Sequence, residues 1–257
     1  SARNRNNTRT DIQTLFQVLE DNDVIASNFI SKIKVLKAPP KRNKSYSEDK
    51  LERIYSFLKE TDPNLLLFIK FVSYNFLRPI EVCRLKVEDI DLKEQKLTKK
   101  KKNKLVKEKI IPNILMEELS FLSNCDGNDF LFTPKGIPSS WEATDDNRRD
   151  YFTKRFKEVK DLFTKKAKEG DKDYFELNSE YGIYSFRHTF ITKIYREMRK
   201  TLTPFETKSR LLLITGHNTM NALEQYLRDI DAELPEDYSD LIKYIIVYFE
   251  FSQRLKM

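Results

Sequence analysis

The chain has 257 residues, enough for one large domain or two small ones with a sizeable core. Charged residues make up 34% and hydrophobic ones 39%, a soluble globular balance, and the formal net charge of +7 favours polyanionic partners. Cys83 and Cys125 stand in neither CxxC nor Cys/His spacing, which argues against a disulfide scaffold or a structural zinc site. That cysteine usage suits a reducing cytosol; no apolar run reaches the length of a membrane span, and the first residues do not read as a signal peptide.

In chain order, residues 1–10 are polar and basic and are expected to fray. Asp11 to Glu20 repeats apolar residues at helical spacing, with Ile12, Leu15, Phe16 and Leu19 on one face. A turn at 21–23 and a stretch from Asn28 to Leu36 follow. One helix and its exit cannot bury a core, so residues 1–43 are expected to be the end of a domain plus a linker. That linker is Lys37 to Lys44, with Pro39 and Pro40 among charges and no periodicity. Residues 44–257 form the second domain. Ser45 or Ser47 caps a helix with Glu48 and Asp49 in its first turn. Asp62-Pro63 opens another that runs to Tyr74, and a third begins near Pro79.

Strand signals come next. Gln95 to Lys101 and Leu105 to Ile111 flank Lys102-Asn103-Lys104 as a hairpin closed by Pro112. Helix is expected at 114–122, a short strand at Phe130 to Thr133, and a loop at 134–147 holding the sole tryptophan, Trp141. Arg148 to Lys166 is a long basic helix, and helices follow at 184–198, 204–215 and 219–229. The stretch from Leu241 to Phe251 is the most apolar; it is too short and too aromatic to span a bilayer, so it must dock on protein. The fold class is mostly α with a small antiparallel β-sheet.

Four stretches carry chemistry. In the first, Arg78 and Glu81 stand at i and i+3 at a helix start, so the carboxylate can hold the guanidinium; a surface ion pair is the plainer alternative. The second is the run Lys99, Lys100, Lys101, Lys102, Asn103 and Lys104 at a hairpin tip, able to reach a DNA groove or to serve only as a charged sheet edge. In the third, Tyr184 stands one helical turn before Arg187. The fourth runs from Leu211 through Gly216 and His217 to Tyr226, nine residues beyond the histidine. Gly216 stops an apolar helix, which places His217 in a tight inter-helix turn. Met220, Leu223, Leu227 and Ile230 make an apolar stripe, beside which Tyr226 is either a core tyrosine or half of a phosphate-binding pair.

The order arginine, lysine hairpin, arginine-histidine, glycine-histidine, tyrosine resembles that of the tyrosine recombinases, the phage-integrase family of site-specific recombinases. The resemblance runs from about Lys44 to Arg228, and residues 1–40 look like the last part of that family's core-binding domain. It implies that the chain is a fragment lacking most of that domain. Arg78 matches the first catalytic arginine, with Glu81 and Asp89 at characteristic offsets, and Arg187 matches the second. Tyr184 stands where the family motif usually has histidine. His217 matches the histidine/tryptophan position and Tyr226 the nucleophile. The catalytic lysine falls on Lys104 measured back from Pro112 and on Lys102 measured forward from Arg78; Lys104 is preferred, because the strand into Pro112 is the firmer anchor.

The resemblance implies cleavage and rejoining of DNA through a 3′-phosphotyrosyl linkage on Tyr226, with a free 5′-hydroxyl and neither ATP, metal nor other cofactor. Two arginines would clamp the non-bridging oxygens as charge grows on them, and the lysine would protonate the leaving 5′ oxygen. The implied partners are double-stranded DNA and further copies of the chain, as a tetramer on two duplexes, with no membrane and no small-molecule substrate. The setting would be a mobile element in the bacterial cytosol or nucleoid. Lys99 to Lys102, Arg148, Arg149, Lys154 and Arg155 are the DNA-facing candidates. Two alternatives share the resemblance: a type IB topoisomerase-like nicking and closing enzyme, and a DNA-binding module that has lost catalysis.

Overall fold

A computed structural model of the chain describes residues 1–38, 43–101 and 104–227; at 99–101, 104–107 and Gln225 it describes the main chain alone. It divides into two compact units, Ser1–Arg42 and Asn43–Met257.

In the first unit, α1 (Ala2–Asp21) begins at once, with the Ser1 hydroxyl accepting from the Asn4 amide at 3.3 Å. The polar first ten residues are therefore helical, not frayed. Long-range hydrogen bonds hold them. The Asn6 side chain bonds both the carbonyl and the amide of Leu36 at 2.8 and 2.9 Å, and Arg9 donates to the carbonyls of Ile33 and Ser31. The apolar face expected inward stays largely open: Leu15 is 58% exposed, and no residue of α1 is buried. Phe16 has a ring partner, Phe29, edge-on at 5.0 Å. Spacing creates an apolar face, but burial needs a second surface.

The second unit starts with α2 (Glu48–Thr61), capped by the Ser47 hydroxyl and burying Leu51, Ile54 and Leu58. Asp62 caps α3 (Pro63–Tyr74), whose Pro63 has no amide hydrogen to leave unsatisfied. Helix α3 is apolar on nearly every side, so it runs through the centre with Leu65, Leu66, Phe68, Ile69, Phe71 and Val72 all buried. The single turn α4 (Pro79–Val82) follows. A three-stranded antiparallel sheet comes next, in the order β1 (Ile90–Asp91), β2 (Lys96–Lys101), β3 (Lys104–Ile110). Thr98 faces Glu108 and Lys101 faces Lys104, with an irregularity between Lys99 and Lys101.

Where one helix was expected at 114–122, the chain makes a single turn, α5 (Asn113–Met116), and continues as 3-10 helix from Glu117 to Asn124. The strand expected at Phe130 to Thr133 is reduced to isolated bridges from Phe130 to Lys86 and Ser139. Thr133 leaves the ladder because its carbonyl accepts from Gly136 and its hydroxyl bonds the carbonyl of Ile137. Helix α6 (Asp145–Lys168) starts three residues earlier than its basic run, because Thr144 caps it. Then come α7 (Ile183–Arg199), α8 (Pro204–Thr215) and α9 (Met220–Leu227).

The main core gathers on α3, where Phe68 stacks on Phe152 at 4.2 Å and Phe132 meets Phe68 and Phe71 edge-on. A smaller cluster holds the site: Phe76, Ile191, Tyr195, Leu211, Leu223 and Leu227. Leu223 and Leu227 are fully buried, so each anchors α9 with about 2 kcal/mol of apolar burial. Ile230 and the stretch 241–251 lie outside the described residues.

Candidate active site

Six side chains named from the sequence meet at this smaller cluster: Arg78, Glu81, Tyr184, Arg187, His217 and Tyr226. Arg78 is the residue before α4, and Glu81 closes the turn back onto it: one carboxylate oxygen accepts from the Arg78 amide at 2.9 Å, the other from its guanidinium at 3.1 Å. The Glu81 side chain is 9% exposed and that of Arg78 44%, so the ion pair anchors one edge of the guanidinium and leaves the rest to solvent.

Arg187, on α7, is 1% exposed and spends every edge of its guanidinium. Its Nε donates to the carbonyl of Phe76 at 2.9 Å, its Nη1 to the Tyr226 hydroxyl, and its Nη2 lies 3.4 Å from His217 Nε2. The Phe76 carbonyl is aimed by an unusual backbone, since Phe76 has φ +52°, a region that side-chain-bearing residues seldom adopt.

His217 sits in the turn that Gly216 creates at φ +70° after α8, and both their amides return to the carbonyl of Leu212. The Thr215 hydroxyl donates to the carbonyl of Leu211 at 2.7 Å and stands 2.6 Å from His217 Nδ1. A hydroxyl has one proton, so Nδ1 carries the hydrogen of this contact and Nε2 keeps its lone pair toward Arg187. Electrostatics agree: burial, then the charges of Arg187, Arg78 and Lys109, push the imidazole down to about 4, against the pull of Glu81. The ring is neutral at physiological pH.

Tyr226 lies on the site-facing side of α9. Its hydroxyl is hydrogen-bonded to Tyr184 as well as to Arg187. Burial raises the phenol well above its usual value; Arg187 and Arg78 pull it back down, and the bond to Tyr184 raises it further. Tyr184 thus shares a polar contact with the candidate nucleophile from the position where the motif it resembles usually has histidine.

Two residues at the site had no role from the sequence. The His188 ring lies 4.5 Å from the Tyr226 ring, centroid to centroid, and that of His217 4.9 Å, so the phenol stands between two imidazoles. His188 follows Tyr184 by four, hence shares its helix face, a signal present in the spacing. Lys109 reaches the carbonyls of Asn75 and Thr215 from β3. Ile111, two positions on, is fully buried and Ile110 is 77% exposed, so strand alternation puts Lys109 on the inward side. Lys104 lies on β3 opposite Lys101, with its side chain outside the described residues, as are those of Lys99, Lys100, Lys101 and Lys102.

The basic helix needs one correction. Arg148 does not face outward: it is 9% exposed, its guanidinium covers the Phe130 ring at 3.6 Å, and it donates to the carbonyl of Ala143 at 2.6 Å. Arg155 pairs with Asp62 at 2.5 Å and with the Tyr151 hydroxyl, while Arg149 pairs with Asp146 and Asp150. Lys154 is exposed. Among the described residues no three His, Cys, Asp or Glu side chains gather as a metal-ligand set, and no helix is long and apolar enough to cross a membrane.

The architecture is that of the tyrosine recombinase catalytic domain, mostly helical with a small antiparallel sheet. Among solved structures, the chain is similar to a Tn1549 transposon integrase in complex with transposon right end DNA, at TM-score 0.66 and 15% identity, covering 96% of this chain and 80% of that one. It is also similar to a lambda integrase dimer bound to a core site, at TM-score 0.62 and 15% identity, covering 92% of this chain and 62% of that one. No protein-family model and no curated protein matches the sequence.

Proposed function

We propose that the chain is a site-specific DNA recombinase that breaks and rejoins DNA through Tyr226. The observation that carries this is the convergence on one phenol: Arg187 bonds the Tyr226 hydroxyl and faces His217, while Arg78 is near enough for its charge to bear on both. Support also comes from the solved structures of the same fold, which hold DNA.

In the proposed reaction the Tyr226 oxygen attacks phosphorus, the bond to the 5′ oxygen breaks, and a 3′-phosphotyrosyl linkage forms. Negative charge grows on the non-bridging oxygens, where Arg78 and Arg187 stabilise it; fixed donors of this kind are worth roughly 10²–10³-fold in rate each. The phenol must lose its proton. A phosphate between Arg187 and His217 offsets the arginines' field and raises the imidazole's proton affinity, so a ring that is neutral beforehand can take that proton on Nε2. Lys104 supplies the proton for the leaving 5′ oxygen. The freed 5′-hydroxyl of a partner duplex then attacks the linkage and restores Tyr226, keeping the bond energy. Lys154 and the lysines of the hairpin contact phosphates, and copies of the chain assemble as a tetramer on two duplexes.

The test is covalent capture. The protein is mixed, in EDTA, with a pool of nicked duplexes carrying a randomised core, and resolved on a denaturing gel. An adduct that Tyr226→Phe abolishes supports the nucleophile and metal-free chemistry together. An adduct that survives Tyr226→Phe refutes the assignment. DNA binding without any adduct points to a binding module instead. Capture followed by religation, but without exchange between two duplexes, points to a nicking and closing enzyme.

A further inference from the structure

Two helix C-termini and a strained loop converge on one ammonium. Asn75 is the C-cap of α3 and Thr215 the last residue of α8, and Lys109 Nζ donates to the carbonyl of each, the second at 3.4 Å. Helix C-termini carry partial negative charge, so a cation shared by two of them is favoured by both. The lysine stem lies along the Gly216 backbone, where an added Cβ would meet Lys109 Cε at 3.7 Å. The ammonium also stands 5.9 Å from the Phe76 ring, and the Asn75 side-chain Nδ2 donates to the carbonyl of Ile110 at 3.0 Å. The consecutive carbonyls of Asn75 and Phe76 are therefore gripped by Lys109 and by Arg187.

We infer that Lys109 is a positioning residue of this site, its ammonium tying the segment that delivers Arg78 to the turn that delivers His217. Arg78 stands three residues after Asn75, and His217 two after Thr215. Without the tie, the two elements are free to separate by a fraction of an ångström or more, and misplacement of about 1 Å can cost on the order of 10²-fold in rate. Because Lys109 belongs to β3, the same tie sets the hairpin against the site. The function of the site rests on the reading proposed above; the placement of His217 does not.

The chain has two histidines, so His217 can be followed by NMR titration of the ring signals, with His188→Gln for assignment. Arg187, Arg78, Lys109 and Glu81 are the charged groups bearing on it. In the wild-type chain it should titrate near 4. Lys109→Met should move that titration upward, Lys109→Arg should leave it low, and in the capture assay Lys109→Met should slow adduct formation about 10- to 100-fold at saturating DNA. Half-saturation by DNA should change little, and Lys109→Arg should recover the rate. An unchanged His217 titration in Lys109→Met overturns the inference, as does a variant that loses thermal stability while reacting at the wild-type rate. Should the methionine variant fail to fold, Lys109→Gln, which keeps a neutral hydrogen-bond donor, is read by the same measurements. A wild-type chain that forms no adduct counts against the proposed function and leaves the histidine titration standing.

Discussion

Among the described residues two arginines are buried, and they are buried for opposite ends. Arg148 is sealed by structure: its guanidinium covers Phe130 and bonds the carbonyl of Ala143, so its charge stabilises a turn and a helix start. Arg187 is withdrawn still further from water, yet two of its edges face a phenol and an imidazole. Both residues sit on helices with other charges nearby. The difference lies in what the guanidinium meets: Arg148 meets a ring, a carbonyl and, at 3.9 Å, the Asp145 carboxylate, whereas Arg187 is aimed at a phenol and an imidazole that converge on one candidate site.

The largest expected effect is on Tyr226. Replacing it by Phe should remove covalent capture altogether while DNA binding persists, read on the same denaturing gel and by gel shift. Next, the two arginines should separate cleanly. Arg187→Lys should lower the capture rate about 10²–10³-fold, because a point charge cannot hold Phe76, Tyr226 and His217 at once. Arg148→Met should leave the rate of the folded protein near wild type and lower the free energy of unfolding by roughly 1–3 kcal/mol, measured by denaturant melts. Equal losses of rate in both variants would erase the contrast.

The third effect concerns pH. His217 is held down to about 4 in the folded chain, against about 6.5 when unfolded. The unfolded chain therefore binds the extra proton first, so this contribution to stability is complete above pH 6.5 and is lost as pH falls toward 4. The window holds up to about 3 kcal/mol, and urea melts of His217→Asn should lack that share of the slope. Leu223→Ala should cost about 2–5 kcal/mol and, by loosening α9, slow capture more than it weakens binding. The smallest effect is at Lys154: its replacement by Ala should reduce the salt slope of DNA binding by about one and leave capture at saturation unchanged.

Much of the fold was legible because its signals are local. Caps at Ser47 and Asp62, the proline at position 63, and Gly216 past an apolar run mark helix ends by hydrogen-bond chemistry that acts within four residues. The hairpin was readable from the two strand stretches that flank Lys102-Asn103-Lys104 and from the Pro112 that closes it. The misses are where distant partners intervene. Residues 2–10 are helical because Asn6 and Arg9 find carbonyls some twenty to thirty positions away, and the strand near Phe130 dissolves because a turn claims Thr133. Arg148 looked DNA-facing within a basic run, and only packing against Phe130 turned it inward.

By itself the sequence determined which residue types stand at each turn: an arginine at a helix start, a histidine after a glycine stop, a tyrosine on the polar edge of an apolar stripe. These are properties of spacing, and spacing is written in one dimension. The tertiary structure decided how they meet: the tautomer of His217, the bond from Tyr184 to Tyr226, the imidazole of His188 against the phenol, and the ammonium of Lys109 between two helix ends. Each joins elements far apart in the chain or sets a proton by a partner's geometry, and no local rule of periodicity or capping reaches that far.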